Sequence, residues 1–206
     1  MADGFRKSSF SELTPAFQNR SLYVQGDHDL RQPSQRFAEP DAGEYIAHTR
    51  TAGMTISPAP SIEMPLYNAD IQAQGIPAQV TALADAVRAA DGVIVVTPEY
   101  NFTIPGGLKN AFDWISRLKE QPFVNKPVAI QSASGGPVGG ARMQYDMRKM
   151  MVFLDAMTLN KPEIFVGMAQ TKFDEKTGEL KDETTRNFLK QQLEAFGAFI
   201  ARVGGK

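Results

Sequence analysis

Residues 92–115 read GVIVVTPEYNFTIPGGLKNAFDWI, and this stretch decides the fold. The continuous apolar run at 92–97 predicts a β-strand that is covered on both faces. Pro98 fixes its own φ and lacks a backbone donor, so it ends that strand. Apolar side chains on one stripe then predict a helix over 106–118. A buried strand, an exposed loop and an amphipathic helix in this order are typical of open α/β sheets, which bind ligands outside the carboxyl ends of their strands.

The alternation of strands and helices continues to the end of the chain, which predicts a doubly wound parallel sheet of the α/β class. The other predicted strands are 54–62, 127–134 and 163–168, and the other predicted helices are 78–90, 140–157 and 185–203. A fifth strand must precede residue 54, and the candidate is 21–25. The charged stretch 172–183 predicts a solvated turn.

The chain changes character near residue 53, which divides it into two predicted regions. Residues 1–52 form an atypical N-terminal segment, expected to be poorly ordered or to carry a degenerate first strand. Residues 53–206 are predicted to form one globular domain.

Composition excludes several classes of protein. The formal net charge of -1 provides no basic field that would gather nucleic acid or anionic lipid, and no apolar run reaches the length of a membrane span. The chain contains no cysteine, which excludes disulfides, thiolate nucleophiles and Cys-ligated metals and fits a cytoplasmic location. The chain has only two histidines, His28 and His48, which argues against a triad hydrolase or a His-ligated metal enzyme.

The loop from Pro98 to Gly106 carries side chains suited to a flat heteroaromatic ligand. Tyr100 can lay its ring beside such a ligand, and the Asn101 amide can both donate and accept at its edge. For a Pro-x-Tyr-Asn fragment taken alone, an ordinary strand-to-helix loop remains the commoner interpretation.

A second loop of interest follows the predicted strand 127–134. Residues 132–142 read SASGGPVGGAR, and their glycines let the backbone approach a ligand closely. A plain flexible loop is an equally good interpretation. A phosphate-binding loop would normally follow the first strand, where Arg31 and Ser34 give a weak signal.

Several other side chains have simpler interpretations. Trp114 lies off the inward stripe of its predicted helix, which favours cover for a neighbouring surface or a subunit contact. A solvated or intersubunit face is the predicted location of three basic residues, Arg142, Arg148 and Lys149.

The motifs taken together resemble the NAD(P)H-dependent FMN reductase family, whose relatives include chromate, quinone and azo-dye reductases. The resemblance covers about residue 53 to the C-terminus. The matching segments are Met64-Pro65-Leu66-Tyr67-Asn68, residues 97–101 (TPEYN), residues 104–114 (IPGGLKNAFDW), residues 132–134 (SAS), residues 139–142 (GGAR), residues 153–155 (FLD) and residues 160–163 (NKPE).

This resemblance implies a flavodoxin-like, five-stranded sheet in the order 2-1-3-4-5, with FMN held noncovalently at its carboxyl edge. It implies a homodimer or homotetramer. It also implies isoalloxazine contacts from Pro98, Glu99, Tyr100 and Asn101, with Ser134, Gly135 and Gly136 at the other edge of the ring.

The function implied is electron transfer from NAD(P)H through bound FMN to a small acceptor: a quinone, an azo compound, chromate or free flavin. No catalytic side chain and no metal are expected, because the flavin carries the chemistry. A flavin-binding electron carrier and an inactive homologue with a lost phosphate loop remain alternatives.

The front of the chain departs from the family pattern. The family opens with an apolar strand that runs into Gly-Ser-x-Arg-x-x-Ser-x-Asn, whereas here Arg31 and Ser34 are the nearest equivalents. One hypothesis is that residues 1–52 come from a shifted reading frame. Translation of the other two frames of the gene tests it.

Overall fold

The structure, a computed structural model, describes residues 19–25, 53–174 and 179–204, with the side chains of Ser21 and Val24 described in the first range. The strands are β1 (Asn19–Gln25), β2 (Met54–Pro58), β3 (Gly92–Val96), β4 (Pro127–Ala133), β5 (Met157–Thr158) and β6 (Ile164–Val166). The helices are α1 (Ala69–Gln74), α2 (Ala78–Ala89), α3 (Gly106–Ile115), α4 (Ala141–Phe153) and α5 (Glu183–Gly204), with a 3₁₀ turn at Ala169–Thr171. None of the helices in these ranges is both long and apolar enough to cross a membrane.

All the strand pairs in the described residues are parallel, so the α/β fold class is confirmed. The strands lie in the order β2-β1-β3-β4, and β5 and β6 both pair with β4. The predicted strand at 21–25 lies within β1, which is central because it pairs with both β2 and β3.

The sheet has six strands in the described residues where five were predicted. The position beyond β4 is shared: β5 pairs with Pro127 and Val128, whereas β6 pairs further along, from Gln131 to Ala133. Asn160, Lys161 and Pro162 lie between β5 and β6. Proline has no N–H to donate to a ladder, which accounts for the break.

Alternate side chains of β3 enter two separate cores, as expected for a strand with helices on both faces. Val93 and Val95 face a core that also takes buried side chains from α2, α3 and α4. Ile94 and Val96 face a second core formed largely with α5. The continuous apolar run in the sequence therefore reflects burial on both faces of the sheet.

Some predicted element bounds were wrong, and one short helix was missed. β2 ends at Pro58, not at residue 62, since the prolines that follow cannot extend the ladder. The helix predicted over 140–157 ends at Phe153, because Asp155 takes a left-handed φ of 55° and turns the chain into β5. The short helix α1 was not predicted, and the Asn68 side chain caps it by accepting from the backbone N–H of Asp70 at 2.7 Å.

The prediction of a solvated turn over 172–183 was also wrong where the structure describes it. Phe173 and Leu180 pair across an isolated antiparallel bridge, and both side chains are buried. Residues 175–178 lie outside the described ranges. The burial of two apolar residues in the second core outweighed the charged character of the stretch.

Trp114 is fully buried against a neighbouring segment of the chain, which is one of the two places predicted for it. Its Nε1 donates to the carbonyl oxygen of Pro65 at 2.7 Å, and its ring meets Tyr67 edge-on at 5.1 Å between centroids. Asn110 accepts from the backbone N–H of Tyr67 at 2.8 Å. The segment after β2 therefore packs over the side of α3 that the helical stripe leaves uncovered.

Candidate functional site

The two loops singled out in the sequence leave the sheet side by side. Val96 at the end of β3 is in register with Gln131 of β4, and the backbone N–H of Thr97 donates to the carbonyl oxygen of Gln131 at 3.1 Å. Parallel strands bring their carboxyl ends to one edge, so the loops after β3 and β4 share that edge. This edge is the candidate site.

The loop after β3 contains a tight hairpin. The backbone N–H of Tyr100 donates to Thr103 O at 3.1 Å, and that of Thr103 donates to Tyr100 O at 3.0 Å. The two residues between them, Asn101 and Phe102, have φ values of 50° and 70°. Positive φ at both central residues is the mark of a type I′ turn, which asparagine tolerates and phenylalanine rarely adopts. The hairpin exposes Tyr100 by 46% and Phe102 by 65%.

Glu99 connects this loop to the first turn of α4. Its Oε1 accepts from Nε of Arg142 at 3.0 Å, and its Oε2 accepts from the backbone N–H of Met143 at 3.1 Å. A carboxylate at a helix N-terminus also gains from the helix dipole. The side chain of Glu99 thus holds two loops together, and a contact between Glu99 and a ligand would use its backbone.

Ser134, Gly135 and Gly136 form the other side of the edge. Gly135 and Gly136 are exposed, and a Cβ built at Gly136 would find its nearest neighbour, Ser134 Oγ, 3.8 Å away. The Ser134 hydroxyl donates to Gly136 O at 3.2 Å. The backbone here is therefore open to close approach by a ligand.

The later glycines of the same loop have a packing role. A Cβ at Gly139 would lie 2.6 Å from the carbonyl carbon of Phe165, and a Cβ at Gly140 would lie 2.8 Å from Cβ of Ser132. Both have left-handed φ values, 65° and 83°. These two glycines set the entry of the chain into α4.

A buried polar network supports this turn from below. The Ser132 hydroxyl donates to Gly139 O at 2.6 Å. The Gln144 side-chain amide donates to Ser132 Oγ at 2.8 Å and to Ile164 O at 2.7 Å. Because Ser132 and Gln144 are buried, their hydrogen bonds fix a single position for the loop after β4.

A third loop, after β6, was missed by the sequence reasoning. The backbone N–H of Met168 donates to Gly136 O at 3.0 Å, and that of Ala169 donates to Ser134 O at 3.0 Å. The sequence prediction extended a strand to residue 168, whereas Met168 takes a left-handed φ of 52°. No signal in the sequence pointed to this support.

The predicted site residues on these two loops lie at the same sheet edge: Pro98, Glu99, Tyr100, Asn101, Ser134, Gly135 and Gly136. Pro98 is buried at the end of β3. Arg31 and Ser34 lie outside the described residues. Across the part of the chain that the structure describes, no three His, Cys, Asp or Glu side chains group in a way that could hold a metal ion.

Comparison with known sequences identifies the family. The model of the family described as "NADPH-dependent FMN reductase" matches residues 42–171. The chain belongs to this family. It is 56% identical over 154 residues to a quinone reductase of Escherichia coli strain K12, which covers 74% of this chain and 82% of that protein.

Other relatives agree with the family. An NAD(P)H-dependent FMN reductase of Pseudomonas aeruginosa is 46% identical over 153 residues, covering 74% of this chain and 82% of that protein. Among solved structures, the flavoenzyme NAD(P)H:(acceptor) oxidoreductase FerB from Paracoccus denitrificans has a TM-score of 0.75 at 24% identity, covering 89% of this chain and 98% of that one. This likeness shows the flavodoxin-like fold.

The described residues fit the ring system of FMN, the cofactor of this family. The isoalloxazine is flat and carries donors and acceptors along one edge. The exposed edge offers an aromatic face at Tyr100, an amide at Asn101 and exposed glycine backbone at Gly135 and Gly136, with the Gln170 side chain beside Gly135. The predicted phosphate-binding residues, Arg31 and Ser34, lie outside the described ranges, so the fit concerns the ring.

Proposed function

We propose that this protein passes electrons from NAD(P)H through bound FMN to a small acceptor of the quinone class. The observation that supports the proposal is the shared carboxyl edge of β3 and β4, with an exposed aromatic-and-amide hairpin after β3 and exposed glycines after β4. The naming of relatives as quinone reductases and as NAD(P)H-dependent FMN reductases supports the donor and the acceptor class.

The chemistry that FMN supplies when bound is hydride acceptance from a nicotinamide followed by electron donation to an acceptor. The protein's part is binding and orientation. Tyr100 would cover part of the ring, and the Asn101 amide would hydrogen-bond at the heteroatom edge. Backbone N–H groups at Gly135 and Gly136 would stabilise negative charge that develops there. Pro98 and Glu99 would contribute backbone contacts.

Flavin content and NAD(P)H oxidation with a quinone test the proposal. A yellow purified protein that oxidises NAD(P)H only when a quinone is present supports it. Bound FMN without NAD(P)H turnover would instead favour an electron carrier, and a protein that binds no FMN would favour an inactive homologue. Chromate, azo compounds and free flavin are the other acceptors to compare.

Two substitutions at Asn101 separate its amide from its backbone role. Asn101→Gly keeps the positive φ that the turn requires but removes the amide, so FMN binding is expected to weaken about fivefold, the equivalent of one hydrogen bond. Asn101→Leu loses the amide and strains the turn, so it is expected to weaken binding further. Asn187→Leu, on the exposed surface of α5, is the matched control. Equal FMN dissociation constants for N101G and wild type would contradict the role of the amide.

A homodimer or homotetramer is part of the same proposal. Val152, Phe153 and Met157 lie close together in sequence at the end of α4 and the start of β5, and their side chains are exposed. Apolar side chains grouped in this way are common at subunit interfaces. Sedimentation of the purified protein tests the oligomeric state, and cell fractionation tests the predicted cytoplasmic location.

A further inference from the structure

We propose that Arg142 is a positioning residue that holds the Tyr100–Thr103 hairpin in place over the flavin edge. In the described contacts, Arg142 does not reach Gly135 or Gly136. It acts through two other residues, Glu99 and Phe102. The link between this positioning and FMN rests on the proposed function. The attachment of the hairpin to α4 stands on the structure alone.

The first contact of Arg142 is its ion pair with Glu99. The Glu99 side chain is only 9% exposed, and its second oxygen already accepts from the backbone N–H of Met143. A carboxylate in this setting needs its cationic partner, because a shielded charge without one is costly. Glu99 directly precedes Tyr100, so the ion pair fixes the base of the hairpin.

The second contact is with the tip of the hairpin. The guanidinium carbon of Arg142 lies 3.7 Å from the centroid of the Phe102 ring. This is a close cation–π contact. One side chain therefore holds both the base and the tip of the hairpin.

A neighbouring side chain on the same face of α4 lies next to the far strand of the hairpin. Asp146 lies four residues after Arg142, one turn along the helix. Hydrogen bonds from Lys149 and then from Thr103 lower the pKa of the Asp146 carboxyl. The hairpin is therefore attached to α4 through Arg142, and Asp146 is a polar neighbour of Thr103.

The hairpin needs such an attachment because its backbone conformation is unfavourable by itself. Phe102 has a φ of 70°, which L residues with bulky side chains rarely adopt. Its side chain is 65% exposed, so burial in a core does not hold it. The contacts with α4 compensate for the strain, and their loss is expected to let Asn101 and Tyr100 move away from the ring-binding position.

The test compares four single variants and one double variant with wild type in the full chain. Arg142→Ala removes both contacts. Arg142→Lys keeps a positive charge for Glu99 but loses the planar face that stacks on Phe102. Phe102→Leu removes the ring from an exposed position, where it leaves the fold intact. Lys190→Ala on α5 is the matched control, because it removes one exposed positive charge far along the chain from the hairpin.

Two readouts are measured for each variant. FMN fluorescence titration of the apoprotein gives the dissociation constant, and amide hydrogen exchange of the apoprotein reports the opening of residues 100–103. R142A is expected to weaken FMN binding about tenfold and R142K about threefold, the factors expected for an ion pair with a cation–π contact and for the cation–π contact alone. Exchange in the hairpin is expected to rise in the same order, with K190A unchanged in both.

The double variant R142A/F102L decides whether the two side chains act together. If Arg142 acts through Phe102, the double variant binds FMN with an affinity close to that of R142A, because the contact is already lost. Fully additive losses, or R142A behaving like K190A, would overturn the proposal. If the wild type binds no FMN, the proposed function fails, while unchanged hairpin exchange in R142A would independently refute the attachment.

Discussion

Replacing Gly140 by alanine probes the turn that leads from β4 into α4. Gly140 has a φ of 83°, and a Cβ there would lie 2.8 Å from Cβ and 2.9 Å from Oγ of Ser132. The left-handed backbone costs an L residue about 1–2 kcal/mol, and overpacking adds about 1–3 kcal/mol. Ser132 cannot easily move away, because its hydroxyl is fixed by Gly139 O and the Gln144 amide. We therefore expect G140A to lower the free energy of unfolding by about 2–5 kcal/mol.

Two other glycines supply matched controls for the two parts of this cost. Gly53 has a similar φ of 87° but, among the described residues, no heavy atom within 4 Å of a built Cβ, so G53A isolates the backbone strain. Gly106, the first residue of α3, has open space and no left-handed φ, so G106A is expected to be neutral or slightly stabilising.

Thermal unfolding of the three variants measures the difference. At this chain length, each 1 kcal/mol shifts Tm by roughly 2–4 °C, so G140A is expected to lose about 4–20 °C and G53A about 2–8 °C. If G140A and G53A have the same Tm, the predicted collision with Ser132 does not occur. The packing account of the turn would then be wrong.

Two further predictions concern stability elsewhere in the chain. Trp114→Phe removes the indole donor to Pro65 O but leaves the Asn110 side chain as a donor to that carbonyl. We expect urea unfolding to show that the free energy of unfolding falls by about 1–2 kcal/mol. No loss would contradict the buried hydrogen bond. Asp182 caps α5 and has a lowered pKa because Thr185 donates to it from its side chain and backbone. The stabilisation by Asp182 is present above the unfolded pKa of about 3.9 and is lost as pH falls through the lower folded pKa. We therefore expect D182A to lower the free energy of unfolding by about 1 kcal/mol at pH 7 and by less towards pH 2. A deficit that does not change with pH would refute the capping role.

Most of the fold could be predicted because periodicity reports burial directly. β3 and α2 lie close to their predicted bounds, since the apolar run and the helical stripe each match a face that packs in a core. The features that could not be predicted depend on contacts between distant parts of the chain. Trp114 lies outside the stripe of α3, and its burial follows only from the segment after β2 that packs over it.

The candidate site also has features that could be predicted from the sequence and features that could not. Tyr100, Asn101 and the exposed glycines could be found because a ligand edge must follow the carboxyl ends of parallel strands. Arg142 could not be found, because a lone arginine on a helix is usually solvated. Its partner is known only once the register places the loop after β3 beside the start of α4.

The position of Glu99 shows how the motif at residues 97–101 joins two loops of the candidate site. A carboxylate beside a flavin ring would oppose the negative charge that reduction brings, if it faced the ring unpaired. Here the carboxylate is paired with Arg142 and bound to the N-terminus of α4. The loop therefore keeps an acidic residue next to Tyr100 without an anionic edge, and the charge serves to set the geometry. The motif thus couples the two loops that form the site, and removing either charge should disturb both loops together.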